Sequence, residues 1–292
     1  MLSLSAARGR TSAAAVVAVL MAWLACPAAA QTVDPNPGKL TFTGGFDFSN
    51  AYMFRGLRRD DTRMIMWPFV EGIADLYTGN TGVRRVSLHV GTWNSLHTGS
   101  AGLQGTSGRL WHESDIYGTL GLGLGRGMSV ESTFTVYTSP NFSFSTIKEL
   151  AFSLAVDDRD APAGIAIRPH ALVAFELGTS PGVGQADIGL NGGTYLELGV
   201  APGWIDPGFT IAFPITVGLS LNDYYELGGI DHTFGYLSLA ARAAVPLGRT
   251  TSYGAWNVHG GVEFQSLGNT PEAFNASDQQ KVVASVGIGF VY

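Results

Sequence analysis

The stretch LTFTGGFDFSNAYMF, residues 40–54, decides the fold. Leu40, Phe42, Phe46, Phe48, Tyr52 and Phe54 fall on one phase of a two-residue period, and Thr41, Thr43, Asp47, Ser49 and Ala51 fall on the other. A strand throws successive side chains to opposite sides, so the segment predicts a strand with one oily face and one polar face.

The pattern recurs along the chain. Val86, Leu88 and Val90 alternate with Arg85, Ser87 and His89; Ile116 and Leu120 with Asp115 and Tyr117; Val130, Phe134 and Val136 with Glu131. Leu150, Phe152 and Leu154 oppose Glu149, and Ile165, Ile167, Val173 and Phe175 oppose Arg168, His170 and Glu176. Leu196 and Leu198 oppose Tyr195 and Glu197, and Leu237 and Leu239 oppose Ser238 and Arg242. Trp256, Val258 and Phe264 oppose His259, Glu263 and Gln265. Residues 209–219 and 282–292 repeat it, and the less regular segment 63–77 reads as a strand whose Pro68 demands a bulge or distorted pairing.

These segments predict an all-β chain of about 12 strands. The connections between them alternate between short turns (78–83, 125–127, 157–163, 202–207, 246–253) and mostly longer polar loops (56–62, 95–113, 139–146, 177–193, 221–232, 267–279). That alternation, the even strand number and oily faces near the roughly 9–11 residues needed to cross a bilayer predict a transmembrane antiparallel up-and-down β-barrel. A soluble sandwich would share the two-residue period, but charge on the opposite faces suits a solvated lumen better.

The first 30 residues read as a cleaved signal peptide: Arg8 and Arg10, an apolar run from Ala13 to Leu24, then Ala28-Ala29-Ala30 before a cut that leaves Gln31 first. Residues 31–39 form a periplasmic lead, and 40–292 form the barrel in a bacterial outer membrane. Cys26, the single cysteine, leaves with the signal, so no disulfide or thiolate metal site is expected. The whole chain carries a net charge of −6, and losing Arg8 and Arg10 makes the remainder more acidic. With no basic patch, nucleic acid is not an expected partner. The expected partners are outer-membrane lipid, small solutes and the barrel assembly machinery, because the ending Val-Gly-Ile-Gly-Phe-Val-Tyr292 resembles the terminal strand signature of outer-membrane proteins.

Tyr52-Met53-Phe54-Arg55-Gly56, then Pro68, then Gly91-Thr92-Trp93-Asn94-Ser95 resemble the start of the proteobacterial Gcw_chp family over residues 42–97. The resemblance implies an exported barrel and supplies no catalytic residue. It leaves the Arg-rich stretch Arg55, Arg58, Arg59 and Arg63 without a role.

The candidate functional residues are those whose phase points them into the lumen: Asp47, Arg85, His89, Asp115, Glu131, Glu149, Arg168, His170, Glu176, Glu197, Arg242 and Glu263. They predict a passive pore for small hydrophilic solutes or ions, with a weakly acidic lumen. The same residues could instead pair across and fill a closed scaffold whose external loops bind a partner. The loop 95–113, carrying Arg109, Trp111, His112 and Glu113, is a candidate constriction. An enzymatic alternative rests on His112 and Ser114, which resemble the His-x-Ser pair of outer-membrane phospholipase A; two apart on a strand, they would share its lipid face. No cofactor is expected. The six histidines lack metal-ligand spacing, and the Gly-rich run 121–125 lacks the Lys and Ser/Thr of a phosphate loop.

Overall fold

The computed structural model describes residues 39–158, 166–178, 184–186 and 192–292. The expected signal 1–30, nearly all of the lead 31–39, and parts of connections 157–163 and 177–193 lie outside them.

Twelve antiparallel strands close on themselves. In order around the wall they are Leu40–Ser49, Ile65–Thr81, Val83–His97, Trp111–Leu124, Met128–Thr138, Ile147–Val156, His170–Glu176, Thr194–Val200, a two-piece strand (Phe209–Ala212 and Ile215–Asn222), Phe234–Pro246, Ala255–Leu267 and Gln280–Val291. The last pairs with the first, with Phe46 opposite Ile288. Beyond that ladder the Tyr292 amide donates to the Phe42 carbonyl at 2.8 Å. Closure satisfies the backbone groups of every wall strand without leaving an edge, the condition for crossing a bilayer with strands. No helix among the described residues is long and apolar enough to cross one.

The two faces divide as the sequence period demands. Phe48, Val90, Ile116, Phe134, Phe152 and Val286 point outward and are exposed, whereas Asp47, Asp115, Glu149 and Glu263 point inward and are buried. An unbroken oily belt of this size is not tolerated by a monomer in water and requires lipid around it. Val90, the middle residue of its strand, is 56% exposed. Val90→Arg is therefore expected to cost about 2–4 kcal/mol at the bilayer midplane. The urea midpoint in lipid vesicles measures it; an unchanged midpoint would take Val90 off the lipid face.

Of the two outcomes expected at Pro68, the structure has the distorted pairing and not the bulge: its strand keeps register toward Val83–His97 from Met66 opposite Leu96 to Phe69 opposite Trp93, and only the pairs at 67 and 68 are missing. Two strand expectations need correction. Of the expected strand 165–176, the described residues 166–176 form a continuous strand only from His170, because Arg168 takes a left-handed φ of +49° and its amide, like that of Ile167, bonds the Asp158 carboxylate. Arg168 therefore sits in a connection, its guanidinium on the Ala201 carbonyl, and not on a lumen-facing strand position.

The second correction matters most. The strand beginning at Leu40 stops at Ser49 and does not run to Phe54. Ser49 Oγ donates to the Ala51 carbonyl at 2.7 Å, and the Asn50 side chain is held by the Val282 carbonyl and the Ala284 amide of the last strand. The chain turns there and forms a small hairpin, Tyr52–Phe54 with Leu57–Asp60, that enters the barrel.

Candidate functional site

The hairpin crosses the lumen from one wall to the other. Its root lies between the first two strands. Tyr52 packs against Trp67, Trp93 and His97, with ring centroids 5.6, 5.4 and 5.9 Å away. Asp60 closes the root. Its carboxylate takes hydrogen bonds from the Thr62 amide at 3.0 Å and hydroxyl at 2.7 Å, and lies 3.2 Å from His97 Nδ1. Trp67 Nε1 donates to Ser95 Oγ at 2.9 Å, and Ser95 Oγ lies 2.6 Å from His97 Nε2. Because Ser95 already accepts from Trp67, its own hydrogen is free for Nε2. That leaves the Nδ1 hydrogen for Asp60.

The tip lands on the opposite wall. Leu57 is fully buried in a cluster with Ala151, Leu172, Ala174 and the tyrosines 195, 224, 225 and 236. Arg55 and Gly56 make the turn with φ values of +49° and +79°. Two positive values match a tight hairpin turn, which ordinarily carries Asn or Asp at the first position and Gly at the second. A Cβ on Gly56 would come within 3.0 Å of Tyr236 as well as being strained. The Arg55 guanidinium forms a two-pronged pair with Glu149, Nη1 to Oε2 at 2.6 Å and Nη2 to Oε1 at 2.8 Å. Nη1 also donates to the Tyr224 hydroxyl at 3.0 Å, and the Tyr195 ring lies 4.2 Å from Cζ. Tyr225 donates its hydroxyl to the Arg55 carbonyl at 2.8 Å.

Toward the end carrying the termini the lumen is lined by pairs. His259 Nε2 lies 2.6 Å from Asp47, His89 lies 3.4 Å from Glu71, His170 lies 3.8 Å from Glu197 and Arg242 lies 3.5 Å from Glu263. Arg85 pairs with Asp75 at 2.5 Å. Gly287 makes room for the first pair, since a Cβ there would lie 1.8 Å from Asp47 Oδ1. Glu131 lies opposite Gly121 and Ser153 on the same face. Exposure rises along this axis: Glu149 is 2% exposed at the hairpin tip, and Arg85 is 47% exposed near the end with the termini.

Asp115 lies at the hairpin level beside Glu113, and Arg59 of the hairpin faces both. Glu176 accepts the amides of Gln185 and Gly193 and thereby anchors a connection instead of facing open lumen. The hairpin brings Arg55 and Arg59 into a space whose charge the sequence reading assigned to the wall alone, and it reduces the acidic excess expected there.

The expected inward constriction from loop 95–113 is not the one the structure uses. Arg109 stacks over Phe142 at 5.3 Å, and Asn141 Nδ2 donates to the Ala101 and Arg109 carbonyls, which ties this loop to its neighbour. Trp111 faces outward. The ladder slips between Ser95 and Leu96, so that His112 is extra on its strand. The bulge turns both His112 and Glu113 inward, while Ser114 lies on the other face with its hydroxyl on Asn94 Oδ1. His112 and Ser114 therefore do not share a face, and His112 stacks on His97 at 4.2 Å instead.

The residues that sequence reasoning missed are the hairpin's Arg55 and its receivers Tyr224, Tyr225 and Tyr236. One signal was available: the Arg-Gly dipeptide at 55–56, a short way after the Ser-Asn strand stop at 49–50.

A closed antiparallel barrel with an oily exterior and a charged interior is an outer-membrane β-barrel, and the bacterial outer membrane is where it resides. No family model matches the sequence, and no curated protein matches it. Among solved structures the chain is similar to the translocator domain of autotransporter NalP from Neisseria meningitidis, at 13% identity over 88% of this chain and 90% of that one, with a TM-score of 0.45. It is also similar to the COG4313 outer membrane channel from Pseudomonas putida F1, at 11% identity over 89% and 100% of the two chains, TM-score 0.45. The NanC porin is similar at 13% identity over 86% and 98%, TM-score 0.39.

Proposed function

We propose that the protein is an outer-membrane channel for small hydrophilic solutes or ions, shut at rest by the 52–60 hairpin. The observation that carries this reading is the hairpin's span: its root is fixed at the first two strands and its tip at Glu149, Tyr195 and Tyr236 of the far wall. The hairpin hangs from the end bearing the longer connections, which in this class is the external end. Below it the lumen is paired, charged and progressively exposed, as a water-filled vestibule facing the periplasm would be. The tip is held by one buried side chain, Leu57, and a small set of polar contacts, on a short tether. Such an element has two discrete positions, in or out of the lumen, and a solute path exists only when it is out.

Planar-bilayer recording tests this. The wild-type barrel is expected to be closed most of the time. A variant in which a short Gly-Ser linker replaces residues 52–60 is expected to conduct steadily, with an open fraction at least about tenfold higher, the ratio that about 1.4 kcal/mol of lost closure would give. A hairpin-less barrel that is folded, judged by its heat-modifiable migration on gels, and still shows no channel events would defeat the channel reading. It would favour a closed scaffold.

A further inference from the structure

We propose that the pocket filled by the Arg55 side chain is a recognition site for a guanidinium-bearing solute, with Arg55 as its tethered resident. The inference rests on the channel reading for the solute's route to the pocket, and on the pocket's own geometry for its chemistry.

The pocket is shaped for a planar, delocalised cation. Glu149 meets both terminal nitrogens in a fork, the Tyr224 hydroxyl accepts a third hydrogen bond, and the Tyr195 ring lies 4.2 Å from the guanidinium carbon. A compact ammonium cannot make the parallel pair and the face contact together. Glu149 is 2% exposed, and its Oε1 also accepts the Tyr137 hydroxyl at 3.2 Å.

Phe54 apart, the pocket is built by the wall and its 221–232 connection and not by the hairpin. Tyr195 donates its hydroxyl to Glu197 Oε2 at 2.8 Å and lies 3.1 Å from the Tyr236 hydroxyl, which reaches the same carboxylate. The Tyr224 amide is fixed by Ser220 Oγ at 3.0 Å. Gly235 leaves the space that the Tyr225 ring fills, since a Cβ there would lie 2.0 Å from it. These contacts do not involve Arg55, so they persist when the tip withdraws, and only the Tyr224 and Tyr225 hydroxyls lose a partner to it.

What withdrawal leaves is a buried carboxylate with its cation gone. An unpaired charge in that place is the costly state, and a guanidinium from solution relieves it. Such a solute binds only the barrel whose hairpin is out, so it shifts the population toward the open form. The same group then marks the solute and releases the gate. The tether gives Arg55 a local concentration on the order of millimolar, so the wild-type protein should need solute in that range or above.

The test uses the full-length folded barrel with Arg55→Ala and, as a second variant that keeps a polar chain, Arg55→Gln. Each is titrated calorimetrically in detergent with ethylguanidinium, and in parallel with ethylammonium and potassium. Saturable ethylguanidinium binding is expected in both variants, at least tenfold tighter than ethylammonium. It should disappear when Glu149→Gln is added, and wild type should bind at least tenfold more weakly than Arg55→Ala. No saturable binding, equal binding of ethylammonium, or indifference to Glu149→Gln would overturn the proposal and reduce Arg55 to a mechanical latch. Binding is read without current, so the two readings fail separately. A hairpin-less barrel that conducts but is neither bound nor blocked by ethylguanidinium sinks this inference alone. Binding by a barrel that never conducts upholds the pocket and removes the channel.

Discussion

Glu149→Ala is expected to lower the unfolding free energy by about 3–5 kcal/mol, the effect of removing one partner from a buried ion pair. The size follows from the surroundings. The Arg55 guanidinium is enclosed by Phe54, Tyr195 and Tyr224, and after the substitution the Tyr224 hydroxyl is its one hydrogen-bonding partner among the described residues. Burying that cation without an anion is worse than never having had the pair. Two further substitutions separate this account from a loss of packing. Glu149→Gln keeps the shape and one acceptor and should cost less, with the same sign. The double variant Arg55→Ala with Glu149→Ala removes both charges and should recover part of the loss, a coupling that a double-mutant cycle reads directly. Urea unfolding in lipid vesicles supplies the numbers. If the double variant were as unstable as the sum of the singles, the pair would have no interaction to lose, and the tip would be held by Leu57 and by Tyr225 on the Arg55 carbonyl.

The wall of this barrel was legible in the sequence because lipid and lumen impose opposite demands on alternate residues. Asp47, Glu149 and Glu263 were assigned inward on phase alone, and all three are buried on the lumen side. The plug was not legible, for the same reason. Tyr52 and Phe54 continue the phase of Phe46 and Phe48, so periodicity cannot tell a strand that runs on from a hairpin that doubles back into the lumen. What ends the strand is a side-chain lock by Ser49 and Asn50 onto a strand more than 200 residues later, and no local pattern records it.

The partner of Arg55 is 94 residues away, which spacing rules cannot reach. The pieces of the motif around residues 52–56, 68 and 91–95 have a physical account. Tyr52, Trp93 and Ser95 meet Trp67 at the root of the hairpin. His112 and Ser114 failed as a pair because one extra residue in a strand reverses every side chain beyond it. Sequence spacing carries no mark of such a slip.

Asp60→Ala is expected to cost about 3 kcal/mol, the upper end for losing a charged hydrogen-bond acceptor. The carboxylate is fully enclosed and joins three separate stretches of chain: Thr62 beside it, His97 at the end of a wall strand, and Ser100 and Ala101 in the loop above. Its loss frees the hairpin root at the point where the chain returns to the wall. The pH dependence gives the sharper measurement. Burial pushes the Asp60 carboxyl upward, but hydrogen bonds from His97 and from the Thr62 hydroxyl and amide outweigh it and hold the group well below the usual carboxylate range. A carboxyl depressed in the folded state contributes stability that is present above its unfolded value, near 4, and lost as pH falls through the lower folded value. The titratable groups around it are His97, which burial keeps neutral, with His112, likewise held neutral by burial, stacked behind, and Arg59 and Asp61 along the root; of these only Asp61 is itself a carboxyl, and Lys281 and Arg58 hold it low as well. Asp60 therefore contributes a nearly constant term between pH 5 and 8, and a falling one below about pH 4. Asp60→Asn should lower the urea midpoint at neutral pH and flatten the decline below pH 4, because the variant has no proton to take up there. A variant whose decline below pH 4 runs parallel to that of wild type would show that the root is sealed by something other than this carboxylate. The hairpin would then have to be held shut from its tip.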